Sequence, residues 1–86
     1  MGSFIVELYV ARGEERALAR AVELTRIAAE RLTRDGAPVR RVRAIFVPED
    51  ETCFLLFEAA DAAASQEAAR AAGLPFERPA TAAAEL

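Results

Sequence analysis

Apolar and polar positions alternate most clearly between positions 38 and 59. Two runs rich in β-branched and aromatic residues, at 38–47 and 52–59, flank a polar break that begins at Pro48 and ends at Glu51. This pattern predicts a β-hairpin with a four-residue loop. If Val47 lies opposite Thr52, regular alternation gives one face three cross-strand pairs: Ile45 with Phe54, Arg43 with Leu56, and Arg41 with Glu58. The opposite face is then uniformly apolar and carries Val42, Ala44, Phe46, Cys53, Leu55 and Phe57.

The flanking sequence predicts the remaining elements. Residues 3–10 alternate as a strand, and apolar positions in steps of three and four from Leu18 to Leu32 predict an amphipathic helix over 14–34. Asp61 is typical of an N-cap, so a second, alanine-rich helix is predicted over 62–72. A last strand is predicted over 76–84. Pro79 places that strand at a sheet edge, because proline donates no hydrogen bond to a ladder.

The predicted order is strand, helix, strand, strand, helix, strand, which is the βαββαβ order of ferredoxin-like folds. The fold class is therefore α+β, with an antiparallel sheet and two helices on one of its faces. Strands one and three are expected in the centre. The arginine-rich second strand and the last strand are expected at the edges, where charge and proline discourage misassembly. The alternative is a three-stranded sheet with a disordered tail.

Length and charge narrow the possible partners. A chain of 86 residues predicts one domain over 1–86. The net charge of −3 argues against nucleic acid as a partner, because nucleic-acid binding requires a basic surface. No apolar run reaches the length of a membrane span, and no apolar signal core follows the N-terminus. We therefore expect a cytoplasmic protein with no membrane partner.

The sheet face turned away from the predicted helices would carry several large apolar side chains, among them Ile45, Phe54 and Leu56. Full burial of one such side chain contributes about 1.5–3 kcal/mol, so a contiguous patch is costly to leave in water. The predicted elements include none that could cover this face. We therefore expect a homodimer whose two sheets pack face to face as a dimeric α+β barrel.

Polar groups on the same face are the candidate ligand-binding residues. They are Glu7, Tyr9, Arg41, Arg43 and Glu58, with the ring of Phe54 beside them. Carboxylates near a phenol and a guanidinium could orient a small polar molecule or transfer a proton. The alternative is structural: Arg41 and Glu58 form a cross-strand ion pair. Glu7 then pairs with Arg43 or with a partner chain, and Phe54 serves only the dimer interface.

The chain offers little for metal or nucleophilic chemistry. Histidine is absent, which removes the commonest transition-metal ligand and the commonest general base. Cys53 is expected on the helix-facing side, where burial makes a thiol inert. The acidic run at 49–51 could hold a hard cation. Consecutive side chains diverge, however, so a solvated turn is expected there. No catalytic residue, metal ligand or cofactor is assigned.

One motif resembles a known family. It consists of FVPEDETCFLLFEA from Phe46 to Ala59, followed by AGLPF from Ala72 to Phe76. It resembles a family of short bacterial proteins of unknown function, some members of which are described as nickel-binding, and the resemblance extends over about residues 4–76. It implies a ferredoxin-like fold and homodimers. No nickel ligand is carried over, because nickel favours imidazole and thiolate and the chain has no histidine.

Three functions stay open at the level of the sequence. The first is a homodimeric module that binds a small ligand between the two sheets. The second is a cofactor-free isomerase or oxygenase, with Tyr9 and either Glu7 or Glu58 as acid and base. This possibility follows from a resemblance of fold to dimeric α+β barrels that act on small aromatic compounds. The third is binding of nickel or another metal, as the family resemblance implies.

Overall fold

The computed structural model describes residues 1–76 and 78–84 of the chain. Its elements are β1 (Gly2–Tyr9), α1 (Glu15–Arg34), β2 (Val39–Val47), β3 (Thr52–Ala59), α2 (Ala62–Ala71) and β4 (Thr81–Ala83). The strands form one antiparallel sheet in the order β2-β3-β1-β4. The class is therefore α+β as predicted, and the arrangement is consistent with a ferredoxin-like fold.

The helix ends follow from capping residues in the sequence. The Asp61 carboxylate accepts a hydrogen bond of 2.9 Å from the Ala64 N–H and so caps the start of α2. A glycine with positive φ lies two residues beyond the end of each helix, Gly36 at 98° after α1 and Gly73 at 77° after α2. This left-handed geometry, which glycine adopts without strain, lets the chain turn back and satisfy the last carbonyls of each helix.

The core lies between the two helices and one face of the sheet. Leu8, Leu55 and Phe57 of the sheet are at most 2% exposed. Ala68 and Ala69 of α2 are fully buried against this layer, because their small side chains let the helix lie close to the sheet. Neither helix in the described part of the chain is long and apolar enough to cross a membrane.

The last strand is shorter than predicted. We expected a strand over 76–84, but β4 spans only Thr81–Ala83, and residue 77 lies outside the described residues. Pro79 has no N–H to offer a ladder. The Ala80 N–H donates instead to the Gln66 side chain of α2, at 2.9 Å. The chain therefore joins the edge of β1 only after these residues.

The register of the hairpin differs from the prediction beyond one point. From the loop to Arg43, which lies opposite Leu56, the pairing is the predicted one. A β-bulge at Val42 then interrupts the ladder, because Arg41 and Arg43 lie opposite consecutive residues of β3. Val42 was expected in the core, but its side chain is 38% exposed.

The bulge changes which arginine lies on which face. Arg41 lies opposite the buried Phe57, and Arg40 lies opposite Glu58. The predicted Arg41–Glu58 pair is therefore wrong, and Arg40 forms the ion pair with Glu58 instead. Arg41 lies on the helix side of the sheet and lines a cleft together with residues of α1.

Candidate functional site

The face of the sheet away from the helices, here called the open face, is ordered in rows across the strands. The row nearest the hairpin loop holds Val47, Thr52 and Tyr9, and the second holds Ile45, Phe54 and Glu7. The third holds Arg43, Leu56, Ile5 and Thr81, and the last holds Arg40, Glu58, Ser3 and Ala83. Apolar side chains thus cross the middle of the face, and charged groups lie toward its ends and edges.

Five apolar residues form this continuous stretch, which we call the apolar band: Val47, Ile45, Phe54, Leu56 and Ile5. Ile45 is 50% exposed, and the other four are only partly buried. Neighbours in the sheet shield their flanks, but nothing in the described part of the chain covers them from above. The band is therefore an exposed hydrophobic surface of the single chain.

A cleft of about 270 Å³ opens beside β1, at the end of the open face near the hairpin loop. We call it the β1 cleft. Its lining consists of Glu7, Leu8, Tyr9, Thr52, Pro75 and Arg78. The cleft exists because β4 pairs only with Ser3–Ile5 of β1. The rest of that strand edge is left beside the segment that leads from α2 to β4.

The polar groups of the β1 cleft are held by defined contacts. Glu7 and Arg78 form an ion pair with 3.5 Å between Oε2 and Nη1. The Tyr9 hydroxyl donates to Glu51 Oε2 at 3.4 Å, and the backbone N–H of Arg12 donates to the same oxygen at 3.2 Å. The cleft therefore presents a carboxylate, a guanidinium and a phenol beside the apolar, exposed Pro75; Leu8 also lines it but is almost fully buried. Such a set can hydrogen-bond the polar edge of a small molecule while its body packs on the apolar wall.

Most of the predicted site residues lie on the open face, but they do not form one site. Glu7 and Tyr9 line the β1 cleft, and Phe54 lies directly opposite Glu7 on the neighbouring strand. Arg43 lies one row further on at the β2 edge. Glu58 is at the far end of the face, where it pairs with Arg40. Arg41 is on the other side of the sheet, so the prediction that it shares this face is wrong.

Two residues of the site were not predicted. Arg78 was assigned to the last strand, whereas it lies in the segment before β4 and contacts Glu7. Glu51 was treated as part of a solvated turn. Its φ of 48° places its backbone in the left-handed region, and its carboxylate holds Tyr9. Neither contact could be inferred from alternation, because both join residues far apart in the sequence.

The structure adds little for metal or thiol chemistry. Within residues 1–76 and 78–84, no three cysteine or carboxylate side chains are grouped so that they could hold a metal ion. Cys53 is only 1% exposed. Burial raises the pKa of its thiol, which disfavours the reactive thiolate.

Comparisons with protein-family models, with curated proteins and with solved structures find no match to this chain. The resemblance to a family with nickel-binding members therefore stays a prediction. By its fold, the chain belongs to the class of small α+β proteins, with a four-stranded antiparallel sheet and two helices.

Proposed function

We propose that this chain forms a homodimer through its open face and binds a small molecule in the β1 cleft. The observation that carries the proposal is the apolar band. Its side chains lie on three adjacent strands and leave Ile45 half exposed. Burial of each large apolar side chain contributes about 1.5–3 kcal/mol, so covering the band provides a driving force for association.

A second copy suits this face in charge. The face carries Arg43 at one edge of the band and Glu7 at another. A twofold axis parallel to the strands would bring Arg43 of one copy toward Glu7 of the other.

The β1 cleft indicates the kind of ligand. Its volume of about 270 Å³ lies just below the roughly 300–1,000 Å³ of sites for drug-sized molecules, so a single-ring compound suits it. A partner sheet over the apolar band would lie beside the cleft and exclude water from its polar groups, which strengthens hydrogen bonds. The ligand class that we propose is a phenol or aromatic acid. Its polar edge would meet Glu7, Arg78 and Tyr9.

Thermal unfolding with phenol, benzoate and salicylate tests this function. A ligand at ten times its Kd should raise Tm by about 5–10 °C, because it binds only the folded protein. We expect Glu7→Gln to lose the increase with phenol, because the Glu7 carboxylate would accept the phenol hydrogen bond more strongly than a neutral amide does. The control is Glu67→Gln, which removes a carboxylate from a similar exposed ion pair with Arg70 on α2. It should keep the full increase.

Two results would contradict ligand binding in the β1 cleft. One is no increase in Tm with any of the three compounds at millimolar concentration. The other is an equal increase in wild type and Glu7→Gln, which would place the bound compound elsewhere on the protein.

A further inference from the structure

We propose that a second site, the cleft between α1 and β2, binds a small molecule that carries a phosphate monoester. This cleft has a volume of about 650 Å³. Its charged and hydroxyl groups are Arg26, Glu30, Thr33, Arg34, Arg40 and Arg41. It lies on the helix side of the sheet, so the proposal does not depend on the function of the open face.

Within residues 1–76 and 78–84, the ion pairs leave two positive charges of this cleft without a partner. Arg26 is held by Glu23 and Glu30, at 2.6 and 2.9 Å, and Arg40 is paired with Glu58. In the described part of the chain, Arg34 and Arg41 form no ion pair. Because Arg26 is shared by two carboxylates, the groups named here sum to a net charge of +1. This positive charge favours an anion such as a phosphate monoester, whose charge is close to −2 at neutral pH.

The position of Arg41 also supports a binding site in this cleft. The β-bulge at Val42 turns Arg41 to the helix side, and bulges that re-aim a side chain are over-represented next to functional sites. The Nε atom of Arg41 is buried and has no hydrogen-bond partner among the described residues. A buried donor without an acceptor costs free energy. Arg41 itself lines the cleft, so the part of its guanidinium that reaches the cleft would offer a ligand oxygen the planar donor fork that suits phosphate.

The walls of the cleft are rigid and partly apolar. The Thr33 hydroxyl donates to the Val39 carbonyl at 2.9 Å and accepts from the Val39 N–H at 3.1 Å. These two bonds tie the last turn of α1 to the start of β2 and hold Arg34 and Arg41 on opposite walls. Ala29 and Val39 line the cleft but are only 2% and 4% exposed. The cleft is larger than a phosphate group needs, so the phosphate should carry an organic body that packs against the aliphatic stems of the arginines.

Isothermal titration calorimetry with glycerol 3-phosphate at low ionic strength tests the site. We expect Arg34→Gln and Arg41→Met each to weaken binding roughly tenfold or more, because each removes charge-assisted hydrogen bonds. Arg20→Gln is the control: it makes the same change on α1 outside the cleft and should bind as wild type does. Arg41→Met should not lower Tm, since it removes a buried donor that has no partner.

Two further measurements identify the ligand chemistry. Binding of glycerol 3-phosphate should weaken as the pH falls from 7.5 to 5.5, because the second phosphate pKa is about 6. Vesicles that contain phosphatidic acid offer the same group on a lipid. Binding to either ligand supports the site if Arg41→Met abolishes it. Comparison of glycerol 3-phosphate with the vesicles then shows whether the site prefers a soluble metabolite or a lipid headgroup. No binding to either at millimolar phosphate, or unchanged affinity in both arginine variants, would overturn the proposal.

Discussion

At the scale of single residues, the face on which a side chain lies determines its chemistry. Cys53 lies on the core face of β3, opposite Leu8 on one side and Phe46 on the other. The alternation in the sequence predicted this burial, and the structure confirms it at 1% exposure. Water stabilises a thiolate and an apolar core does not, so burial raises the thiol pKa.

The burial of Cys53 predicts a loss of stability at alkaline pH. The thiol of the unfolded chain releases its proton from about pH 8.5, whereas the folded protein retains it because its pKa is raised. Above that pH the unfolded state binds fewer protons, so the free energy of unfolding falls, by at most about 1.4 kcal/mol per pH unit. Urea denaturation at pH 7.5 and 9.5 should show a larger loss of stability in wild type than in Cys53→Ala. Equal losses would show that the thiol is not responsible.

At the scale of elements, the bulge in β2 divides the strand into two parts. The residues that face the core are odd-numbered before the bulge and even-numbered after it. Val39 is 4% exposed and lies on the core face, as do Ala44 and Phe46 nearer the loop. In a regular strand an odd-numbered and an even-numbered residue cannot share a face. The sequence contains this change, because the apolar Val39 is odd-numbered whereas Ala44 and Phe46 are even-numbered. This feature would have predicted the bulge. Regular alternation assigned Val42 to the core and Arg41 to the open face, and both assignments were wrong.

A matched pair of substitutions tests the bulge. Val42→Lys should change the free energy of unfolding by less than about 1 kcal/mol, because its side chain already reaches solvent. Val39→Lys places the same charge in the core and should cost several kcal/mol or prevent folding. Urea denaturation measures both. A larger cost for Val42→Lys than for Val39→Lys would mean that the ladder runs without a bulge.

The elements that depend on local sequence were predictable, and those that depend on distant contacts were not. The Asp61 cap and the glycine at each helix end act over a few residues, so the observed helix ends lie within one residue of the predicted ones. The start of β4 depends on Gln66, which accepts from Ala80 across 14 positions. The Arg78–Glu7 contact likewise required the fold. Such side-chain contacts leave no periodic pattern in a single sequence.

At the scale of the whole molecule, the sheet separates two surfaces of different character. The helices cover one face and leave the arginine-lined cleft at the β2 edge. The other face is the open face, with the apolar band at its centre and the β1 cleft at its margin. A protein built in this way can bind its own copy through the band while both clefts remain available to ligands. The band is therefore the feature on which the proposed assembly depends.

Sedimentation equilibrium of wild type, Ile45→Glu and Ile27→Glu tests the homodimer most directly. The two isoleucines are similarly exposed in the single chain, at 50% and 45%, but Ile45 lies in the apolar band and Ile27 lies on α1. We predict that wild type and Ile27→Glu are dimers at tens of micromolar and that Ile45→Glu is a folded monomer. A monomeric wild type at that concentration would contradict the account, as would a dimer that Ile27→Glu dissociates and Ile45→Glu does not.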